Sequence, residues 1–218
     1  MSTLRLWGHY LPAFLRGTAV TLELTGACLV VALALGFLTA LCRMARSRLL
    51  RNLAAIYIEV LRATPVIVLL FIAYFSLAEV GIVLPPFLSV VVTLGVFYAT
   101  LFGEVFRGGI ESVHRGQREA AQALGLTAPA IMRRVVLPQA LLAILPPAAN
   151  TAADLLKDTS LVVTIGGVSE IMYQAYAAAS ATFLPMTMFV LAALFYFPIY
   201  YLLSTVLRRW EVRYAERH

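Results

Sequence analysis

Charge is scarce in this chain. Only 13% of its 218 residues are charged, and one lysine, Lys157, stands among 17 basic side chains. Soluble domains carry about 25% charged residues, so an ordinary water-soluble fold is excluded. The single lysine also excludes a phosphate-binding loop. That loop needs Gly-x-x-x-x-Gly-Lys before Ser or Thr, and Lys157 follows AADLL instead. The two cysteines, Cys28 and Cys42, lie in or beside one apolar run, at no metal-ligand spacing and without the makings of a disulfide framework. No HExxH, no His/Cys/carboxylate set and no nucleophile elbow occurs. These absences turn attention from covalent chemistry to conformational work.

Apolar side chains fill the space that charge leaves. They make up 61% of the residues, and the mean hydropathy is +0.88. Such a chain is an integral membrane protein, with about 20 apolar residues per spanning helix. It has room for five spans and for no soluble domain of ordinary size. The tetrapeptide TGAC at 25–28 resembles a lipoprotein cleavage box, but the apolar run continues to Leu41. That is longer than a signal-peptide core, so the segment reads as a retained span.

Residues 1–17 place Leu4, Trp7, Leu11 and Phe14 at helical spacing with Arg5 and Arg16 among them, which predicts a short amphipathic helix in the membrane interface. The first span is expected at 18–41, the second at 54–77 with a kink at Pro65, and the third at 86–106. A fourth apolar segment begins near Gln139 and is expected to break at Pro146-Pro147. An amphipathic piece, VSEIMYQAYAAA, leads to a fifth span at 183–207. Glu59 with Arg62, and Glu104 with Arg107, are spaced to form ion pairs. Arginines concentrate in 42–53, in the loop 107–138 and in the tail 208–218. The positive-inside rule then places these three segments in the cytoplasm and the N-terminus outside.

The loop 107–138 holds REAAQALGLTAPAIMRRVVLPQA. Gly125 can take the left-handed conformation that stops a helix, Thr127 can cap the next one, and Pro129 is tolerated in a first turn. The shape resembles a DNA-reading helix-turn-helix. Such a reader needs a third packing helix or a dimer arm, whereas this loop returns at once to the membrane, so nucleic acid is excluded as a partner.

Glu119-Ala120-Ala121, then Gly125, then Val135, Leu137 and Pro138 resemble the EAA loop of permease subunits of bacterial ATP-binding-cassette importers. Val135 replaces that motif's isoleucine. YIEVLRATP (57–65) is similar to a stretch of the polar amino acid uptake branch, with Ala63 in place of glycine; LPQALLAILPPAAN (137–150) and LLKDTSLVVTIG (155–166) match it too. The resemblance implies an all-α integral membrane protein of five transmembrane helices, a single permease domain over 1–218. The resemblance further implies a cytoplasmic coupling helix-turn-helix between spans 3 and 4. It also implies a bacterial inner-membrane location and three partners: an ATPase subunit holding ATP and Mg, a second permease subunit (identical or different), and an extracytoplasmic solute-binding protein. This chain itself would carry no cofactor. In the EAA loop, Glu119 would pair with a basic partner, Ala120 and Ala121 would allow close approach, and Gly125 would set the angle between the helices.

Polar groups at membrane depth mark pathways or buried pairs. Asn150, Thr151, Asp154, Lys157 and Asp158 form one such group, with Asp154 spaced to share a face with both Lys157 and Asp158. It reads either as a self-neutralised ion pair or as a surface for a zwitterion, whose ammonium needs an anion and whose carboxylate needs a cation. Arg62 is a further pathway candidate. Thr151 stands where many relatives have glutamate, with Asp154 one turn later. An ion-gradient-driven transporter or small channel, using Asp154 and Asp158 as a cation site, is the rival reading.

Overall fold

The computed structural model describes the backbone of residues 3–215, and the side chains of these except residue 4, residues 203–204 and residues 206–215. Helix α1, Thr3–Met44, is 42 residues long. At ~1.5 Å per residue it reaches about 63 Å, twice the ~30 Å hydrocarbon core of a bilayer. From Thr3 on, the expected amphipathic segment 1–17 and first span 18–41 are thus one continuous helix. Gly17 sits at the expected junction, but it serves packing rather than termination. A Cβ there would lie 3.1 Å from the backbone of Glu170 and Ile171, so only glycine lets that backbone approach.

Helix α2, Arg48–Ala63, and the following helical stretch α3, Val66–Glu79, are bent by 100° from one another. The expected second span 54–77 is therefore broken rather than kinked. Pro65 has no N–H and forces the preceding residue out of the helical region; Thr64 is extended at φ −103°, ψ 129°. Leu70 of α3 enters the main core, and Ala54 and Ile58 bury α2.

Helix α4, Pro86–Glu111, runs parallel to α1 at very close range. Gly95, Ala99 and Gly103 recur every four residues along it, a small-residue stripe of the kind that brings membrane helices together. A Cβ on Gly103 would lie 2.9 Å from Thr39, and one on Gly36 of α1 would lie 2.8 Å from the Phe102 Cβ. Around this seam Leu24, Cys28 and Ala32 pack with Val90, Leu94, Tyr98 and Phe102.

Helix α5, Arg115–Ala123, is the short helix of the central loop. It is followed by α6, one helical run over Ala128–Thr164. The break expected at Pro146-Pro147 is absent, because both prolines lie inside the helical stretch Leu137–Asp158. Each removes one N–H bond without removing the packing that holds the helix. Gly109 admits Ile144 on one side, and Ala152 and Leu155 join the core on the other. Just before Pro138 the helix widens into a π turn, Met132–Val136, where the Leu137 N–H reaches the Met132 carbonyl. Its last residues, Thr159–Thr164, tighten to 3-10 geometry.

Helix α7, Ile171–Thr182, ends at Phe183 in the left-handed conformation, φ 56°. Helix α8, Pro185–Ala215, then continues to the end of the described backbone. The first third of α1 packs on α7 and α8 through Phe14, Ile171, Ala175 and Leu191, and the Trp7 Nε1 donates to the Thr187 carbonyl at 3.3 Å. Part of the expected tail 208–218 is thereby the end of α8; residues 216–218 lie outside the described residues. Among the described residues, four helices are long and apolar enough to cross a membrane, and α2 with α3 makes a fifth if the bent pair is one span.

Candidate functional site

Two constellations stand out, one at each end of α6. The first is the loop that resembles the EAA motif. His114 occupies the N-cap of α5 and its Nδ1 accepts from the Gly116 N–H at 3.1 Å. At the other end the Gly125 N–H donates to the Gln122 carbonyl, and the Leu126 N–H to the Ala121 carbonyl. This is the Schellman pattern, in which a left-handed residue satisfies the last carbonyls of a helix. Gly125 adopts φ +79°, as its position in the sequence predicts. Thr127 takes the N-cap position of α6, but its side chain makes no capping bond; Pro129 in the first turn supplies the helical start instead.

Of the motif residues, Ala121 is buried while Glu119, Ala120 and Gly125 are exposed. One face of α5 thus packs inward and the other is left open. Arg118 fastens α5 to the end of α4 by donating from Nη2 to the Ile110 carbonyl at 2.6 Å. Leu137 is 40% exposed and Pro138 half-buried, where α6 passes from the loop into the bundle. Between α4, α5 and α6 lies a groove of about 680 Å³ lined by Ser112, His114, Gln117, Arg134 and Gln139.

The second constellation lies toward the other end of α6. Exposed residues recur there at Gln139, Ala143, Pro147, Asn150, Asp154 and Lys157, which is one face of a 3.6-residue helix. Lys157 Nζ pairs with the Asp154 carboxylate at 2.6 Å and lies 5.4 Å from the centre of the Tyr200 ring on α8. Asp158 does not join this pair through a bond. It turns to α4 and accepts from the Tyr98 hydroxyl at 2.8 Å. The Thr151 hydroxyl donates to the Pro147 carbonyl. Arg62 lies on α2, exposed, and makes neither an ion pair nor a hydrogen bond with this group. The expected Glu59–Arg62 pair is not formed; both side chains are exposed.

These helices and this loop carry a family signature. The model of the family described as "Binding-protein-dependent transport system inner membrane component" matches residues 32–216. The chain belongs to that family. Among its relatives, the glutamine transport system permease protein GlnP of Escherichia coli strain K12 is 35% identical over 205 residues, 93% of each chain. The arginine transport system permease protein ArtQ of Bacillus subtilis strain 168 is 33% identical over 197 residues, 90% of each. A crystal structure described as an amino acid ABC transporter with histidines superposes at a TM-score of 0.91 with 32% identity, covering 98% of this chain and 99% of that one. The methionine ABC transporter MetNI in an inward-facing form shares the fold at a TM-score of 0.72 and 23% identity.

Within this family member, two further polar clusters hold the helices in register. Glu104 receives Arg107 at 2.6 Å and Arg43 at 3.3 Å, and Arg107 also reaches Glu111. The Glu104–Arg107 pair expected from spacing is present and is extended across to the end of α1. Sequence reasoning missed Glu170, which is fully buried. Its carboxylate accepts from the Met172 and Tyr173 N–H groups at 2.8 and 2.7 Å and from the Tyr196 hydroxyl at 2.7 Å. It therefore caps α7 and ties it to α8, while the adjacent Ile171 N–H donates to Thr21 Oγ1 of α1. Burial raises its carboxyl above the ordinary range, against the pull of these donors. The available signal was a lone carboxylate beside Ser169 in a long apolar stretch.

Proposed function

We propose that this chain is the membrane-spanning permease subunit of an ATP-driven importer. It passes a polar or charged amino acid, received from an extracytoplasmic solute-binding protein, to the cytoplasm. A separate ATPase subunit hydrolyses ATP, and its motion enters through the loop at Glu119, Ala120, Ala121 and Gly125. The observation that carries the reading is the exposed face of α6. Asn150, Asp154 and Lys157 stand exposed there on a spanning helix. Facing lipid they would be costly; facing a pathway shared with a second permease subunit they are solvated and useful.

The chemistry of that face suits a zwitterion. Asp154 supplies an anion for an ammonium group, and Lys157 a cation for a carboxylate. Their exposed pairing is weak enough to be exchanged for ligand, since surface ion pairs contribute about 0–1 kcal/mol. Pro146 and Pro147 leave the carbonyls of Leu142 and Ala143 without their usual helical donors, which adds acceptors lower on the same helix. At the loop end, exposed Glu119 and Ala120 on the open face of α5 offer a small, shallow surface for a groove on the ATPase, and the Leu137-Pro138 entry into α6 carries the motion onward. The arginine distribution supports an orientation with this end in the cytoplasm and the N-terminus outside.

The test is reconstitution of the chain with its ATPase and binding protein in liposomes. Uptake of a labelled amino acid should require ATP inside and should stop when the ATPase is inactivated. Uptake that follows an ion gradient with the ATPase removed would instead establish a secondary transporter.

A further inference from the structure

One cavity is used by neither the coupling loop nor the α6 face. Between α1 and α2, closed at the back by Val96 of α4, lies a cleft of about 360 Å³ lined chiefly by Leu35, Leu38, Cys42, Leu50, Leu53 and Tyr57. That volume falls in the range of small-ligand sites, ~300–1,000 Å³. The hydroxyl protons of its walls are already spent, and Cys42 adds only a weakly polar thiol. The Thr39 hydroxyl donates to the Leu35 carbonyl at 2.8 Å, and the Tyr57 hydroxyl to the Val96 carbonyl at 2.6 Å. An occupant of the cleft must therefore be apolar.

The chain beside the cleft is the opposite in character. Helix α1 ends at Met44, and α2 begins at Arg48. Arg46, Arg48 and Arg51 in and after this connection are exposed, and none of them forms an ion pair or a side-chain hydrogen bond among the described residues. No acidic residue occurs between Cys42 and Ile58. Arg43 differs, being held by Glu104, and that bond sets this end of α1 beside the end of α4 that leads into the coupling loop. Leu49, Leu53 and Ile56 are more than half exposed along α2, so the cleft continues into an apolar outer surface.

An apolar cleft whose α2 wall adjoins, along the chain, three arginines without ion-pair partners, at the end of a membrane helix, matches one kind of molecule. We propose that it holds an acyl chain of an anionic phospholipid, with the phosphate among Arg46, Arg48 and Arg51. Basic pockets between membrane helices recognise lipid headgroups in this way. Lipid fits better than a protein partner because the cleft walls are almost wholly apolar, whereas the arginines of the adjoining connection call for an anion. The proposal rests on the chain's place in a bilayer and not on which solute it carries.

Cys42 is a built-in reporter, because it lines the cleft while Cys28 is fully buried. The complete transporter would be placed in nanodiscs of phosphatidylcholine with or without phosphatidylglycerol, and maleimide labelling of Cys42 followed. Phosphatidylglycerol should slow labelling and be retained in native mass spectra. Each arginine beside an anionic headgroup is expected to raise retention about fivefold, so the combined Arg46→Gln, Arg48→Gln, Arg51→Gln variant should lose retention and protection together. Leu53→Trp, which fills the cleft and leaves the rim intact, should displace the lipid. Equal labelling in both lipids would overturn the proposal. So would protection that survives the triple substitution. No outcome depends on uptake, so a wrong solute assignment would leave this result untouched.

Discussion

The Tyr98 hydroxyl donates to the Asp158 carboxylate at 2.8 Å, joining the middle of α4 to the far end of α6. Tyr98 is 2% exposed and part of the main core, so this bond links the tightest packing in the bundle to the proposed pathway helix. Bonds to charged groups contribute about 1.5–3 kcal/mol, and orphaning one partner removes at least that much. Tyr98→Phe should therefore lower the melting temperature of the purified complex. Asp158→Asn, which keeps an acceptor for the hydroxyl, should lower it by less. Equal losses would show that Asp158 acts through its charge and not through Tyr98.

Gly125 sets the turn of the proposed coupling loop at φ +79°, and a Cβ there would meet nothing within 4 Å. Its replacement is thus a test of backbone conformation alone. A residue with a side chain pays about 1–2 kcal/mol in the left-handed region. Gly125→Val should leave membrane insertion and bundle stability intact while reducing uptake and solute-stimulated ATP hydrolysis several-fold. Loss of the ATPase subunit from the purified variant complex would point to an assembly defect instead, and crosslinking from Glu119→Cys would distinguish the two.

Glu170 predicts a pH dependence. Burial holds its carboxyl above the ordinary glutamate value of 4.5. A group whose folded value is raised contributes stability that is fully present below the unfolded value and is lost as the pH climbs through the folded one. The melting temperature of the complex should therefore fall as pH rises from about 4.5 upward through that window, and Glu170→Gln should flatten this part of the profile. Glu170→Ala should be much worse at every pH, because the cap of α7 and the Tyr196 bond both go, at about 1 kcal/mol or more each.

Apolar length and turn chemistry are local properties, and the features that depend on them were legible in the sequence. The run through Cys28 to Leu41 forms membrane-crossing helix, and Gly125 ends a helix where its place before Thr127 and Pro129 says it should. Features that depend on neighbours were hidden. Pro146 and Pro147 look like a break, yet packing of Ile144 and Leu155 carries α6 through them. Pro65 reads the same way in the sequence, but there Thr64 is extended and the chain turns by 100°. The parallel seam of α1 and α4 was also unread, because Gly36, Gly95 and Gly103 acquire meaning only when the two helices are laid side by side. Of the proposed pathway group, spacing identified the Asp154–Lys157 pair; it could not foresee that Asp158 turns to Tyr98.

Asp154 carries the sharpest prediction because its two possible roles separate in one measurement. As a structural partner of Lys157 it is 60% exposed against 54% for the lysine, and a pair so open to solvent is worth about 0–1 kcal/mol. Asp154→Asn should thus leave insertion, yield and melting temperature nearly unchanged. As the anion for a solute ammonium group, its loss should weaken transport about tenfold or more, the equivalent of about 1.4 kcal/mol. Uptake by reconstituted mutant complex reads the second role and thermal melting reads the first. Lys157→Gln should impair uptake in parallel if the carboxylate is held there, and the double variant should be no worse than the poorer single one if both groups act on the same bound solute. Normal uptake by Asp154→Asn would return the pair to a structural role and leave the pathway to Asn150 and Thr151.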